Sequence, residues 1–177
     1  MTDILILYYS STGHVKRLAN AISEGVDAEG VVSRIRTVPA IRADFAETNG
    51  DSFENADGQI YVTKDDLSEC GGLALGSPAR FGTMAAPLKS FFETTSDLWL
   101  SGAMVDKPAC VFGSASSLHG GHEGLLQSMM IPLIHHGMVV MGCPYTEPGL
   151  NAFTGGGTPY GPTHLDAENL SNSEIEL

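Results

Sequence analysis

The sequence predicts an α/β protein in which a doubly wound parallel sheet of five strands carries helices on both faces. Short, unbroken apolar runs alternate with segments of helical spacing, and a strand that is covered on both faces needs no polar alternation. Right-handed crossovers through the helices then make the strands parallel. Because no Gly-x-Gly-x-x-Gly follows the first strand, we expect the strand order 2-1-3-4-5 instead of a six-stranded dinucleotide-binding order.

The elements of this fold are assigned in chain order. The first strand leads through small residues into a helix whose apolar residues recur from Val15 to Val26. Pro39–Thr63 is rich in acids and is expected to be a long loop. The Gly- and Pro-rich segment after Gly142 is interpreted as too irregular for an element. The predicted strands are Ile4–Tyr9, Val31–Val38, Gly72–Gly76, Ala109–Phe112 and Met138–Met141, and the later helices are Asp65–Cys70, Pro87–Thr95 and His122–Ile134.

Length and composition limit the class of protein. With 177 residues, 42% of them apolar, the chain is expected to form one domain over residues 1–177. The formal net charge of −12 argues against a nucleic acid or an anionic membrane as partner. No apolar run reaches the roughly 20 residues of a membrane span, and the N-terminus does not resemble a signal peptide. We therefore expect a cytoplasmic protein with three reduced cysteines.

The turn after the first strand has the composition of an anion site. Ser10, Ser11, Thr12 and Gly13 lie between the strand and the helix. The free N–H groups and the positive dipole end of a helix N-terminus attract an anion, and small hydroxyl residues add donors. A phosphate is therefore expected here. The alternative is that Ser11 or Thr12 only caps the helix.

The kind of phosphate is narrowed by motifs that the sequence lacks. There is no Gly-x-x-x-x-Gly-Lys-Ser/Thr, and hence no lysine for a triphosphate. The second strand ends at Arg36-Thr37-Val38 without the acid that would bind a dinucleotide ribose. The first strand does not end in the aspartate that a phosphorylated receiver domain needs. What remains is a monophosphate held by uncharged donors.

Two further turns follow strands at the same edge of the predicted sheet. Gly76–Thr83 contains Arg80, and Gly113–Gly121 is rich in serine and glycine. In the order 2-1-3-4-5 the loops after strands one, three and four meet at the switch point where such sheets bind ligands. Their convergence favours one shared ligand. Arg80 is either a cation that stabilises negative charge on that ligand or a surface arginine paired with an acid.

Trp99 and several histidines each have an ordinary and a functional interpretation. Trp99, the single tryptophan, is either a packing anchor or the wall of a pocket for a flat substrate. His119 and His122 lie in a glycine-rich turn and His135 and His136 at the end of a helix, without a carboxylate or cysteine at ligand spacing. No metal is therefore expected.

Six segments of the sequence together resemble the WrbA family of flavodoxin-like NAD(P)H:quinone oxidoreductases. The match runs nearly end to end, and six segments in the right order are far more specific than any one of them. The resemblance implies FMN as cofactor, NADH or NADPH as co-substrate, two-electron reduction of a quinone to a hydroquinone, and a homotetramer. The segments are Leu7-Tyr8-Tyr9-Ser10 with Gly13-His14, Gly76-Ser77-Pro78-Ala79-Arg80-Phe81-Gly82, Leu98-Trp99 with Ser101-Gly102, Ser117-Leu118-His119-Gly120-Gly121, His135-His136-Gly137-Met138 and Gly156-Gly157-Thr158-Pro159-Tyr160-Gly161.

The resemblance also implies roles for individual residues. No protein side chain is expected to be catalytic, because the flavin carries the chemistry. Trp99 is implied at the substrate pocket, and Thr12 also at the nicotinamide dinucleotide. Ser171–Leu177 matches only the start of the family's closing helix, which is expected to be short or missing. The residues implied in FMN binding are Ser10, Ser11, Thr12, Gly13, His14, Val15, Ala79, Arg80, Phe81, Ser114, Ala115, Ser116, Ser117, Leu118, His119 and His136.

Two other functions remain compatible with the same fold. The first is a flavodoxin that carries single electrons between proteins, for which an acidic surface is suitable because such carriers dock on basic faces. The second is a non-enzymatic binding protein that keeps the flavodoxin fold but lacks the cofactor. A quinone reductase is distinguished from the first by a dithionite titration with little persistent semiquinone, and from the second by uptake of FMN. Because nicotinamide and quinone need the same open face of the flavin ring, the two substrates of a quinone reductase are expected to alternate.

Overall fold

The computed structural model describes residues 3–41, 54–152 and 156–165. Its strands form one sheet in which β2, β1, β3, β4 and β5 are neighbours in that order, and every pairing is parallel. The predicted order 2-1-3-4-5 is therefore confirmed. The strands are β1 Asp3–Tyr8, β2 Val32–Thr37, β3 Gly72–Pro78, β4 Pro108–Ala115, β5 Val139–Val140 and β6 Thr163–Leu165.

The helices connect the strands as the apolar spacing predicts, with two additions. The helix predicted at Asp65–Cys70 begins one residue earlier, because Thr63 and Asp66 form a reciprocal capping box. The two short helices α4 and α6 were not predicted, since six and five residues are too few for a helical period to be read. The helices are α1 His14–Ala28, α2 Lys64–Glu69, α3 Ala86–Glu93, α4 Ser96–Ser101, α5 His122–His135 and α6 Pro148–Ala152.

The fifth strand position of the sheet differs from the sequence prediction, because two separate segments of the chain occupy it. The strand predicted at Met138–Met141 has only two residues, which pair with Pro108 and Ala109 at the start of β4. The chain then leaves the sheet and returns as β6, which pairs with residues 113–115 at the end of β4. The segment interpreted as irregular thus supplies the upper half of the fifth strand. A Cβ on Gly161 would lie 2.1 Å from the Val111 carbonyl oxygen, so only glycine allows this approach.

The two faces of the sheet are covered by different helices. Ile6 and Tyr8 of β1 pack with Phe112 of β4 against α1, while Leu5 and Leu7 face the core formed with α2, α3 and α5. Ser171–Leu177, the predicted start of a closing helix, lies outside the described residues. Within the described ranges, no helix has the length and apolar character needed to cross a bilayer.

Candidate functional site

Three loops meet at the carboxyl edge of the sheet. They follow β1 (loop 1, Tyr9–Gly13), β3 (loop 3, Ala79–Ala85) and β4 (loop 4, Ser116–Gly121). The register brings Pro78 opposite Ser114, so β3 and β4 end at one level, and the Ala79 N–H donates to the Ser114 carbonyl at 2.7 Å. The predicted convergence of these three loops is therefore present in the structure.

Loop 1 leaves the start of α1 open to an anion. The Gly13 N–H donates to Ser10 Oγ at 3.0 Å, and Gly13 has a φ of +92° that an L-residue rarely adopts. No side chain caps α1, so the alternative in which Ser11 or Thr12 only caps the helix is not observed. The first turn contains no acid but does contain Lys16. A cation at the positive end of a helix is unfavourable unless an anion binds there.

Arg80 connects loop 3 to loop 1. Its Nη2 donates to Ser11 Oγ at 2.7 Å, and its Nη1 donates to the Ala79 carbonyl at 3.0 Å. Among the described residues, no carboxylate lies within ion-pair distance of this guanidinium. Within the described ranges, Arg80 is therefore bonded to loop 1 and not to an acid. The Arg80 guanidinium places a positive charge beside loop 1, where the sequence suggested only uncharged donors.

Loop 3 presents an aromatic side chain in a strained backbone conformation. Arg80 and Thr83 close a turn with two backbone hydrogen bonds, of 2.9 and 3.1 Å. Phe81 inside this turn has a φ of +51°, and its side chain is fully exposed. A bulky residue in this region costs about 1–3 kcal/mol and is found mostly at functional sites. Gly82 lies against loop 4, where a Cβ on Gly121 would come within 2.9 Å of the Gly82 Cα.

Loop 4 combines an exposed tip with a buried support. Residues 116–119 are exposed, whereas Ser114 and Ala115 beneath them are buried. The Ser117 carbonyl accepts both the Gly120 N–H at 2.8 Å and His122 Nε2 at 3.1 Å, which fixes the turn before α5. Loop 4 thus offers its small polar side chains toward the edge where loop 3 presents Phe81.

His164 joins the same edge and was not predicted. Its ring stacks on His14 with centroids 4.9 Å apart and planes 17° apart, and its Nδ1 lies 3.3 Å from Ser114 Oγ. Because β6 was not recognised in the sequence, nothing placed this residue beside loop 1. The preceding Gly156–Gly161 motif was the only signal close to it.

Trp99 and His136 meet at a second place. They line a mostly apolar pocket of about 440 Å³ between α3, α4 and α5. Thr95 Oγ1 donates to the Phe92 carbonyl at 2.7 Å, so it accepts from His136 Nε2 at 2.9 Å. His136 Nδ1 is then a buried acceptor without a partner in the described part of the chain. Burial, and to a lesser extent the neighbouring His135, lowers the pKa of His136.

Comparisons with known proteins agree with this geometry. The family model described as NADPH-dependent FMN reductase matches residues 2–147. This chain belongs to that family. Two curated relatives are both named NAD(P)H dehydrogenase (quinone). The protein of Gluconacetobacter diazotrophicus is 39% identical over 98% of this chain and 87% of its own length, and that of Chromohalobacter salexigens is 39% identical over 100% and 90%.

Solved structures agree on the fold. A flavodoxin, WrbA-like protein from Agrobacterium tumefaciens has a TM-score of 0.66 at 20% identity, over 99% of this chain and 89% of the other. An archaeal flavodoxin has a TM-score of 0.63 at 19% identity, over 99% and 90%. The flavodoxin-like fold and the relationship expected from the sequence motifs are thereby confirmed.

The residues at the carboxyl edge of the sheet match the charge and shape of FMN, the cofactor of this oxidoreductase family. The uncapped start of α1, with Lys16 in its first turn and the Arg80 guanidinium nearby, has the charge that a phosphate needs. Phe81 and the small residues of loop 4 suit a flat ring, since aromatic faces stack well. One chain therefore brings together residues whose chemistry suits both ends of a mononucleotide.

Two of the predicted site residues, Trp99 and His136, do not lie at the carboxyl edge of the sheet. Loop 4 lies at the N-terminal end of α5, whereas His136 caps its C-terminal end. At about 1.5 Å per residue, the 14 residues of α5 separate the two ends by roughly 20 Å. Trp99 shares the pocket of His136. His136 is therefore remote from loop 4 within the same chain, although Met84 of loop 3 lines the pocket that it shares with Trp99.

The described residues show no other reactive centre. No group of three or more His, Cys, Asp or Glu among them has metal-binding geometry. Cys70, Cys110 and Cys143 are free thiols. Burial, and next the neighbouring Cys143, raises the pKa of Cys110 to about 11, so its nucleophilic thiolate is rare near neutrality.

Proposed function

We propose that this chain is an FMN-dependent NAD(P)H:quinone oxidoreductase that reduces quinones to hydroquinones in two-electron steps. The observation that carries the proposal is the meeting of loops 1, 3 and 4 around an uncapped helix start. The relatives named NAD(P)H dehydrogenase (quinone), each 39% identical over nearly the whole chain, support this substrate pair.

Loop 1 holds the FMN phosphate in this proposal. Residues 13–15 lie at the start of α1, where backbone N–H groups have no acceptor within the helix, and the Gly13 N–H itself donates to Ser10 Oγ. Ser10, Ser11 and Thr12 add hydroxyl groups. Because Ser11 Oγ accepts from Arg80, its own hydrogen is left to donate to the phosphate.

Loops 3 and 4 hold the isoalloxazine ring. Ala79–Phe81 would flank it, and residues 114–119 would contact the ring and the ribityl chain. When bound there, FMN accepts a hydride from NADH or NADPH and passes it to a quinone. Thr12 lies where the dinucleotide passes. Nicotinamide and quinone use the same open ring face, so the first leaves before the second enters.

A homotetramer supplies Trp99 and His136 in this proposal. Both lie at the far end of α5 from loop 4, so the flavin that they contact belongs to another chain. The unpartnered Nδ1 of His136 supports a role in binding, because a buried acceptor without a donor costs about 1–3 kcal/mol. The apolar pocket wall formed by Trp99 suits a flat quinone.

The remaining parts of the proposal concern the whole molecule. Residues 1–177 form a single flavodoxin-like domain, supported by one sheet that joins β1 to β6. The protein works in the cytoplasm, which the three free cysteines support.

The test follows NADH loss at 340 nm after FMN, NADH and benzoquinone are added to the purified protein. Quinone-dependent oxidation is expected, with parallel double-reciprocal lines when quinone is varied at several NADH concentrations. Intersecting lines would contradict the alternation of substrates. Protein that binds FMN but does not oxidise NADH with any quinone would contradict the proposed function.

A further inference from the structure

His164 stands between two of the three loops that hold the flavin in the proposed function. It is 9% exposed, and it belongs to β6, the strand that follows the interruption of the fifth strand. On one side its ring stacks on His14, the first residue of α1. On the other side its Nδ1 lies 3.3 Å from the hydroxyl of Ser114, directly below loop 4.

The returning strand holds His164 in a fixed place. In β6 the residue is registered opposite Ser114, and its neighbour Thr163 is registered opposite Gly113. Thr163 Oγ1 accepts the Gly157 N–H at 2.9 Å, which ties the strand to the turn before it. A Cβ on Gly156 would lie 2.3 Å from the Thr163 carbonyl oxygen, so the two segments are in close backbone contact. His164 is therefore placed by the sheet and by the turn.

The two contacts act on different ends of the nucleotide site. His14 belongs to the turn that binds the phosphate, so a ring stacked on it fixes the entry of α1 at the phosphate end. Ser114 contacts the ring and ribityl end, so the bond from His164 orients that hydroxyl.

We propose that His164 is a positioning residue for FMN, which aligns His14 at the phosphate end and Ser114 at the ring end of the site. This inference rests on the proposed FMN site. It also explains why the interrupted fifth strand returns to the sheet, since only the return brings a side chain from β6 between α1 and β4.

Three substitutions separate the two contacts. His164→Phe keeps a flat ring for His14 but removes the bond to Ser114. His164→Asn keeps a polar group near the position of Nδ1 but removes the stacked ring. His164→Ala removes both. Asn151→Ala, at an exposed position of α6 between β5 and β6, is the matched control, because it removes one exposed bond, from Asn151 Nδ2 to the Tyr145 carbonyl, and leaves both contacts of His164 in place.

The experiment titrates each apoprotein with FMN and with riboflavin, which lacks the phosphate, and follows flavin fluorescence. His164→Ala is expected to weaken FMN binding about tenfold. His164→Asn is expected to weaken FMN by about threefold and leave riboflavin unchanged, because only the phosphate end is disturbed. His164→Phe is expected to weaken both ligands by a similar factor, and the control to match the wild type.

Two results would overturn this inference while the proposed function stands. One is wild-type FMN affinity in all three variants. The other is an equal loss of FMN and riboflavin affinity in His164→Asn and His164→Phe together with a lower melting temperature of both apoproteins, which a purely structural role would produce. A wild-type apoprotein that binds no FMN would instead refute the proposed site itself.

Discussion

Breaking the hydrogen bond between Arg80 and Ser11 should change the stability of the apoprotein very little and the affinity for FMN strongly. Both side chains are exposed, and they meet at 2.7 Å across loops 1 and 3. Removing either with Arg80→Gln or Ser11→Ala should change the unfolding free energy of the apoprotein by less than about 0.5 kcal/mol, as is usual for surface sites. The effect on FMN should be much larger.

The expected loss of FMN affinity follows from the charge of the phosphate. Removing a hydrogen-bond donor from a charged acceptor costs about 1.5–3 kcal/mol of binding free energy, which makes the dissociation constant about 10 to 150 times larger. In the double variant the loss should be smaller than the sum, because Arg80 orients the Ser11 hydroxyl and the two side chains act as one unit.

The assay is quenching of FMN fluorescence on titration with apoprotein, at low and at high salt. Lys64→Gln is the charge-matched control, because it also removes one positive charge from the surface and its partner Asp97 lies on α4. If Arg80→Gln and Ser11→Ala bind FMN as tightly as Lys64→Gln does, the phosphate is not held by loop 1 and the reasoning fails.

Three further predictions concern stability and substrate binding. Gly76→Ala should destabilise the protein by about 1–3 kcal/mol in urea unfolding, because the new Cβ would lie 2.2 Å from the buried Phe112 ring; unchanged stability would contradict this packing. Burial lowers the pKa of His136 in the folded state. The stability that the neutral ring contributes to folding is therefore fully present above the unfolded pKa of about 6.5, and it is lost as the pH falls through the folded pKa. From about pH 7.5 to about pH 5, the wild type should therefore lose more thermal stability than His136→Gln, and equal slopes would refute the burial argument. Trp99→Ala should raise the KM for benzoquinone about 3- to 10-fold with apoprotein stability unchanged, and an unaltered KM would leave Trp99 without a substrate role.

The strand order was predictable because it depends on sequence patterns that extend over several residues. Three of the strands, β1, β3 and β4, are apolar runs bounded by small residues, and β2 alternates between apolar and polar residues; each was assigned within a few residues of its observed ends. The fifth strand was assigned only in part, since Met138–Met141 covers β5, whereas the three residues of β6 lie in a later segment that no periodicity reveals. The pieces belong together only because Gly161 allows the chain to approach β4.

The site was predictable to the level of its loops but not of its contacts. Hydroxyl and glycine residues after three strands indicated a phosphate and a shared edge. The bond from Arg80 to Ser11 depends on where a flexible side chain reaches across two loops, and the strained φ of Phe81 depends on the turn that encloses it. His164 was missed because its strand was missed, and the distance of His136 from loop 4 follows from the length of α5.

The most direct test of the FMN site is a crystal structure of the protein with FMN bound. The account predicts the phosphate within hydrogen-bond distance of loop 1 and of backbone N–H groups in the first turn of α1, with the isoalloxazine ring in contact with loops 3 and 4. A flavin bound elsewhere on the chain, or a phosphate held by lysines of another surface while loop 1 stays empty, would contradict it.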